Sequence, residues 1–344
     1  MHKFLLRTTM MFACLVLYSC ASEPAEQQAE FFVFGTLVEV TTWGVDEPVA
    51  EQAFRSIGEQ FQRMHNEWHA WEPGLLTEMN RGIAAGLPVM ANPDIIEMIR
   101  YSQFVEERTE GRFNPAIGAL IRLWGFHTSD YPIQGPPPRR SQIDSLVRQE
   151  PSSLDIQIDG TTVTALNPAI QLDFGGIAKG YAIDLACDIL KSLGINNAIV
   201  NAGGDLKALG SHGNRPWRVA VRNPGGGVIG VLETAPDEAV FTSGNYERFR
   251  QDNENRYPHI IDPRTGWPVS DVASVTVIAP DGWLADAAAT ALIVGGIDDW
   301  IEVARSLSLS QVLVVDENGT AYLTDQMDAR VEFAEGVVKQ VVAF

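Results

Sequence analysis

The spacing of apolar side chains predicts long helices in this chain. From Pro48 to Trp71 apolar residues recur every three or four positions, which is the period of one helical face. A second helix is expected to begin at Asn92-Pro93 and to end at Gly111, because asparagine caps a helix N-terminus and proline suits the first turn. Other stretches with helical spacing are 178–193, 283–294 and 298–307.

Alternating apolar residues and turn residues predict β-strands between these helices. The clearest case is a hairpin from Leu154 to Ala165 that turns at Asp159-Gly160. Residues 128–140 contain three consecutive prolines and are predicted to form a surface loop. The other predicted strands are 31–42, 169–172, 198–200, 217–221, 228–232, 239–245, 273–279, 311–315 and 320–323. The pattern shows no internal repeat and predicts an α+β fold, a single large domain of mixed and antiparallel sheets with flanking helices over residues 31–344.

The first residues have the pattern of an export signal. Lys3 and Arg7 precede an apolar run, 10–18, that is too short to span a membrane as a mature helix. The run leads into Leu17-Tyr-Ser-Cys20, which resembles a bacterial lipoprotein signal cut before its cysteine. We therefore predict a signal peptide over 1–19, lipidation of Cys20 and an unfolded tether over 20–30, with ordinary secretory cleavage as the alternative.

Composition excludes some classes of function. The 344 residues carry a formal net charge of −19, which argues against a nucleic-acid partner, because such proteins need a basic surface. An anionic ligand would have to be held by local donors, a helix end or a metal ion. Of the three cysteines only Cys187 lies beyond the proposed lipidation site, so no internal disulfide is expected.

The segment from Leu172 to Asp184 combines a predicted strand end, a glycine turn and a helix start. Gly175 and Gly176 permit a tight turn and close approach of the backbone to a ligand, and a helix N-terminus favours a phosphate. The segment lacks both the Walker and the dinucleotide-binding fingerprints. On its pattern alone, a structural turn and a ligand site are equally supported.

Two other places carry groups suited to catalysis. Asp286 and Thr290 are four residues apart in a predicted helix and share a face, where their oxygens would suit Mg²⁺ better than zinc. The alternative is that Asp286 is an acid favoured by the helix dipole in the first turn. His259 can serve as a general base near neutral pH or can bond to the backbone of its own loop. The motifs of serine hydrolases, zinc proteases and thiol oxidoreductases are absent.

Five segments, in this order, are similar to the ApbE family of FAD:protein FMN transferases. They are 172–184, Asn201-Ala-Gly-Gly-Asp205, Phe241-Thr-Ser-Gly244, His259-Ile-Ile-Asp-Pro-Arg-Thr-Gly266 and the strand–helix pair 273–290. The resemblance extends over residues 31–344. It implies a fold related to the T-fold and an enzyme that takes FAD with Mg²⁺, transfers FMN to a threonine hydroxyl of a target flavoprotein and releases AMP.

The resemblance also implies partners and a location. The targets of such enzymes include membrane redox pumps of the sodium-translocating NADH:quinone reductase (Nqr) and Rnf types. With lipidation at Cys20, the protein would be a membrane-anchored lipoprotein facing the periplasm. Some members hydrolyse FAD to FMN and AMP, which the sequence does not separate from transfer. An FAD-binding protein without turnover is a third interpretation.

Site residues follow from the resemblance position by position. His259 matches the general base, and Asp286, Thr290 and the carbonyl of Gly176 match the metal ligands. Ala289 stands where some relatives have an acidic residue. The implied FAD contacts are Phe34, Arg112, Phe113, Asn114, Asp173, Lys179 and Ile261.

Overall fold

The computed structural model describes residues 26–128, 130–246, 248–253 and 255–344. Its helices are α1 (Glu47–Trp68), α2 (Leu75–Ala84), α3 (Pro93–Arg108), α4 (Gly118–Trp124), α5 (Arg140–Val147), α6 (Ala178–Ser192), α7 (Gly282–Ser306) and α8 (Asp325–Asp328). Its strands are β1 (Glu26–Val33), β2 (Thr36–Trp43), β3 (Val89–Met90), β4 (Ile133–Gln134), β5 (Ile156–Asp159), β6 (Thr162–Ala165), β7 (Ala198–Ala202), β8 (Asp205–Leu209), β9 (Arg218–Arg222), β10 (Val228–Glu233), β11 (Glu238–Gly244), β12 (Phe249–Asp252), β13 (Asn255–Pro258), β14 (Val272–Ala279), β15 (Gln311–Asp316), β16 (Ala321–Thr324), β17 (Val331–Phe333) and β18 (Lys339–Val342).

A nine-stranded sheet forms the centre of the molecule. Its strand order is β1-β2-β7-β8-β11-β14-β15-β16-β18, and every neighbouring pair is antiparallel except β16 and β18. Smaller sheets have the orders β17-β10-β9, β13-β12-β4 and β3-β6-β5. The predicted α+β architecture with mixed and antiparallel sheets is therefore confirmed.

Both faces of the central sheet are covered. Helices α1, α6 and α7 pack on one face, and the small sheet β17-β10-β9 packs on the other. Neighbouring residues of β11 show the division, because Phe241 joins the core beneath the helices and Val240 joins the core beneath the small sheet. All eight residues of β14 are buried, as expected for a strand that is covered on both faces.

Most predicted helices and hairpins are confirmed. The side chain of Asn92 accepts a hydrogen bond from Ile95 N at 2.9 Å, so it caps α3 as expected. The helices predicted over 283–294 and 298–307 form one element, α7, which is interrupted at Gly296, where φ is 69° and ψ is −174°. The hairpins predicted for 154–165 and 311–323 are β5–β6 and β15–β16.

Several sequence-based boundaries are wrong. Residues 26–30, assigned to the tether, belong to β1 and pair with β2, because alternate side chains there pack against the domain. The strand predicted for 31–42 is a hairpin that turns at Phe34-Gly35 with φ of 55° and 71°, although Phe34 is an unusual residue for such a turn. No strand forms over 169–172, where Gln171 makes only an isolated bridge to Ile117. The loop 128–140 contains the short strand β4.

The predicted signal peptide and Cys20 lie outside the described residues. Within the part of the chain that the structure describes, no helix is both long enough and apolar enough to cross a membrane.

Helices α6 and α7 touch through their backbones at two glycines. A Cβ on Gly180 would lie 2.1 Å from Gly282 O, and a Cβ on Gly282 would lie 2.7 Å from Gly180 O. Asp184 of α6 strengthens the contact, because its carboxylate accepts hydrogen bonds from Gly282 N and Trp283 N, both at 3.0 Å. This side chain caps the N-terminus of α7, since Asp281 makes no side-chain cap.

We expect Gly180→Ala to lower the free energy of unfolding by at least about 2 kcal/mol, because the new methyl group would force two helix backbones apart. Chemical denaturation would measure the change, with Ser192→Ala on the exposed end of α6 as the control. Alanine stabilises an open helix position by about 1 kcal/mol relative to glycine, so a gain of that size would contradict the proposed contact.

Candidate active site

Asp173 holds the loop that leads into α6. Its Oδ1 accepts a hydrogen bond from Gly175 N at 2.8 Å, and its Oδ2 accepts one from Trp71 Nε1 at 2.8 Å. Burial raises the pKa of this carboxyl group, while the two donors and the nearby His69 act in the opposite direction. Asp173 therefore fixes the glycine turn and connects it to the chain that follows α1.

A lysine and two carboxylates lie together where α6, α7 and β8 meet. Lys179 forms an ion pair with Asp205, and the carboxylate of Asp286 accepts a hydrogen bond from Gly180 N at 2.9 Å. Burial opposes the charge on Lys179, but the carboxylates of Asp205 and Asp286 outweigh it and raise the pKa. Burial raises the pKa of Asp286 to about 7, even though Lys179 acts against the shift. When Asp286 is ionised, the two carboxylates exceed the single ammonium group by one negative charge, so a further cation would favour the ionised form of Asp286.

Thr290 lies next to the two other residues predicted to bind the metal, Asp286 and Gly176. Thr290 Oγ1 lies 3.4 Å from the carbonyl oxygen of Asp286, and a Cβ on Gly176 would lie 3.2 Å from the same hydroxyl oxygen. Carboxylate, hydroxyl and carbonyl oxygens are the ligands that Mg²⁺ prefers. The described residues contain no group of three or more His, Cys, Asp or Glu side chains that could hold a metal. A divalent ion would therefore fit here only with backbone, water or substrate oxygens completing its coordination.

His259 follows β13 and faces the same cluster. Its backbone N–H donates to Arg248 O at 3.1 Å, and its Nδ1 has no hydrogen-bond partner among the described residues. Burial, together with the charges of Arg248 and Lys179, lowers the pKa of the imidazole to about 4. The ring is therefore neutral at pH 7 and can accept a proton.

Arg248 contributes a second positive charge to the site. Its guanidinium carbon lies 5.8 Å from the centre of the Tyr131 ring, and within the described ranges no carboxylate forms an ion pair with it. Its charge acts on both Lys179 and His259. Because Lys179 is paired with Asp205, Arg248 is the more available of the two cations for an anionic ligand.

Two of the predicted FAD contacts are aromatic residues, and one of them, Phe113, lies beside the glycine turn. Phe113 is buried, and a Cβ on Gly176 would lie 3.2 Å from its ring. Phe34 lies at the tip of the β1–β2 hairpin and stacks on Trp68 with ring centres 6.4 Å apart. That tip adjoins the β7–β8 turn, because a Cβ on Gly203 would lie 2.5 Å from the hydroxyl of the next hairpin residue, Thr36.

Three other predicted FAD contacts are engaged with the protein itself. Arg112 is buried and forms an ion pair with Asp299 at 2.7 Å. Asn114 donates to Pro151 O at 2.8 Å and accepts a hydrogen bond from Ala116 N at 2.8 Å. Ile261 is buried in an apolar cluster formed by Ile117, Leu120, Trp124, Phe126, Ile143 and Ile261. These contacts show how each residue is held, and their predicted roles toward FAD stay predictions.

The ApbE family profile matches residues 34–314. The chain belongs to the ApbE family. It is 44% identical over 319 residues to the FAD:protein FMN transferase of Rhodobacter capsulatus, and the alignment covers 91% of this chain but only 60% of that relative. The ApbE protein of Thermotoga maritima is 29% identical, with a TM-score of 0.81 over 90% of this chain and 100% of the other. The flavin transferase ApbE of Vibrio cholerae is 25% identical, with a TM-score of 0.77 over 89% of this chain and 99% of the other.

Three residues that the structure of this ApbE chain places in the site have no role predicted from the sequence. They are Trp71, which binds Asp173, Asp205, which binds Lys179, and Arg248, which lies beside His259. The spacing of apolar residues predicted that Trp71 belongs to the buried face of α1. In the structure the helix ends at Trp68, and Trp71 lies beyond it and binds Asp173 in the loop before α6. Asp205 ends the segment Asn201-Ala-Gly-Gly-Asp205, which the family resemblance includes. Its position after two glycines could have indicated a role in the site. No pattern distinguished Arg248 from a surface arginine.

We expect the imidazole of His259 to titrate at about pH 4 in the ligand-free protein, which NMR of the histidine side chains can measure with His259→Gln for assignment. The pKa of His259 in the folded protein lies below the ordinary value of 6.5. The contribution of the neutral imidazole to the free energy of unfolding is therefore complete above pH 6.5 and is lost as the pH falls toward 4. Between pH 6.5 and 4, protonation of His259 would lower the free energy of unfolding by up to about 1.4 kcal/mol per pH unit. This part of the pH dependence should be absent in His259→Gln. Titration near pH 6.5 would show that the ring is not shielded from water.

Proposed function

We propose that this chain transfers FMN from FAD to a threonine hydroxyl of an acceptor flavoprotein in a Mg²⁺-dependent reaction that releases AMP. The observation that carries the proposal is the proximity, in an ApbE fold, of a neutral histidine, a buried carboxylate beside Lys179 and an arginine that has no carboxylate partner among the described residues. The relatives named FAD:protein FMN transferases support the same reaction. The chain covers only 60% of the length of its Rhodobacter capsulatus relative, so activities of the remaining part of that protein are not transferred to it.

In the proposed reaction the acceptor threonine loses its proton to His259. The threonine oxygen forms a bond to the phosphorus of the FMN half, and the bond from that phosphorus to the bridging oxygen breaks. The bridging oxygen leaves with AMP. A free threonine hydroxyl is too weakly acidic to attack at pH 7, so a neutral base beside it is required. His259, whose Nδ1 lacks a partner among the described residues, meets this requirement.

The pKa of about 4 makes His259 a weak base in the ligand-free protein. The diphosphate of FAD would bring negative charge next to Arg248 and Lys179, the two cations that lower this pKa. Neutralising them raises the affinity of the imidazole for a proton. Binding of FAD would therefore activate the base that the acceptor needs.

Asp286, Thr290 and the Gly176 carbonyl would hold Mg²⁺, whose chemistry is to neutralise phosphate charge as the diphosphate is cleaved. A divalent ion also compensates the excess negative charge of the Asp205–Asp286–Lys179 cluster. Asp286 has to be ionised to serve as a ligand, and its hydrogen bond from Gly180 N holds the carboxylate in place.

We further propose that the mature protein is anchored through lipidated Cys20 and faces the periplasm, where subunits of Nqr-type or Rnf-type pumps would be its acceptors. The lipoprotein-like signal before Cys20 supports this location. Globomycin-sensitive processing and membrane fractionation test it, and a soluble mature protein would refute the anchor.

A direct test incubates residues 21–344 with FAD, Mg²⁺ and a flavin-free acceptor domain that carries the target threonine. We expect covalent flavin fluorescence on the acceptor and one AMP per flavin transferred. His259→Ala and Asp286→Asn should each lower the rate by at least about 100-fold, because they remove the base and a metal ligand.

The matched controls are His212→Ala, at the β1–β2 edge beside Glu26, and Asp188→Asn, on the exposed side of α6. Both should keep full activity. AMP without labelled acceptor would favour hydrolysis of FAD, and absence of both products would leave a flavin-binding protein.

Arg248→Ala should weaken FAD binding about tenfold, because the diphosphate loses a cation that no carboxylate of the described chain neutralises. Quenching of flavin fluorescence measures the dissociation constant. Arg140→Ala on the exposed helix α5 makes the same change of charge and should have no effect. Equal affinities for FAD in the two variants would exclude Arg248 from the binding site.

A further inference from the structure

The strand β13 runs directly into His259 and is an edge strand. It belongs to the small sheet with the order β13-β12-β4, so one side of its backbone has no neighbouring strand. Register pairs Arg256 with Gln251 and Pro258 with Phe249. An open strand edge beside a catalytic group is a place where another chain can pair.

The hydrogen-bond pattern shows which backbone groups face that open edge. Gly135 N donates to Gln251 O at 3.0 Å, so the backbone groups of Gln251 point toward β4 and away from β13. In an antiparallel pair, residues that do not bond each other present their N–H and C=O groups outward. Arg256, the register partner of Gln251, therefore directs its N–H and C=O to the open edge.

A surface cavity of about 350 Å³ lies along this edge. Arg256 and Pro258 line one side, and the β9–β10 turn at Asn223-Pro224-Gly225 and the β15–β16 turn at 316–319 form two other walls. None of the residues predicted to bind FAD or metal lines the cavity. Among the described residues that line the cavity, Pro258 is adjacent in sequence to a predicted site residue, His259.

One residue that lines the cavity has a buried hydrogen-bond acceptor without a donor among the described residues. Asn245 lines it and is 2% exposed, and its Oδ1 has no donor among the described residues. The orientation of this amide is fixed, because its Nδ2 donates to Val269 O at 3.0 Å and Val272 O at 2.9 Å. Asn245 therefore forms a fixed part of the cavity wall.

We propose that the open edge of β13 and this cavity bind the acceptor protein as an added β-strand that delivers its threonine to His259. The inference rests on the proposed function. An extended polypeptide is the ligand class that pairs N–H and C=O groups with a strand edge, whereas a nucleotide would need cationic or helix-end contacts. Two strand residues separate Arg256 from His259, so a paired segment would reach the base within about 10 Å.

The side chain of Arg256 leaves the edge open. Its guanidinium lies over the Phe249 ring at 3.9 Å and donates to Asn245 O and Tyr246 O, so it braces the loop beneath the cavity. Backbone pairing would thus provide affinity for any extended segment, and the cavity would select its side chains. This arrangement suits an enzyme that modifies several acceptors.

The test compares Arg256→Pro with Arg256→Ala in the transferase assay. Both variants lose the same side chain, but only proline removes the N–H at the open edge, where no intramolecular hydrogen bond is lost. We expect the KM for the acceptor domain to be at least fivefold higher for Arg256→Pro than for Arg256→Ala. The affinity for FAD and the acceptor-independent release of AMP should be equal in the two variants.

A second variant and a second measurement guard against misfolding of the proline variant. Ser270→Trp would fill the cavity from an exposed position and should also raise the acceptor KM at least fivefold. Hydrogen exchange of the wild-type protein should show slower exchange of the amide of Arg256 when acceptor is added.

The outcomes separate the two proposals. If the wild-type protein labels no acceptor, the proposed function fails. If it labels acceptor but the proline and alanine variants have equal KM values, and Arg256 is not protected, the edge is not the docking site. Protection that rises with protein concentration in the absence of acceptor would assign the edge to a second copy of the chain and would overturn the proposal.

Discussion

The backbone contact between α6 and α7 is the constraint on which the candidate site depends. Gly180 and Gly282 have no Cβ, so the helices approach until Gly180 N can donate to the carboxylate of Asp286. Asp184 binds the first N–H groups of α7 from the other side. The same contact therefore holds the two helices, caps one of them and positions a predicted metal ligand.

Electrostatics explains how a chain with a net charge of −19 can offer a site to a diphosphate. The site has few positive groups, but they lie close together, because Lys179 and Arg248 both lower the pKa of His259. Lys179 is held by Asp205, while Arg248 has no carboxylate partner within the described ranges. Charge near the reacting atoms decides binding, because a screened global field decays within about 10 Å at ordinary ionic strength.

The positions of His259 and β13 connect the two halves of the proposed reaction. The charge of Lys179 acts on the histidine from the charged cluster, and Pro258, which lines the cavity at the open strand edge, directly precedes the histidine in the chain. His259, the proposed base, is thus a neighbour of both the site proposed for FAD and the surface proposed for the acceptor. A direct transfer reaction needs this arrangement, because both substrates must be present at once.

The sequence by itself determined the α+β class, most helices, the hairpins and the segments that identify the family. These features depend on local periodicity, capping residues and glycine turns, which act over a few residues. It also indicated His259, Asp286 and Thr290, because their residue types and spacing carry the signal.

The tertiary structure alone decided which groups neutralise one another. Lys179 and Asp205 are 26 residues apart in the chain, and Trp71 and Asp173 are 102 apart, so no local pattern could pair them. The hairpin at Phe34 and the strand at 26–30 were missed because side-chain packing against the domain, rather than propensity, fixes them. The open edge of β13 likewise exists only once the strand order is known, since an edge is a property of a sheet and not of a strand.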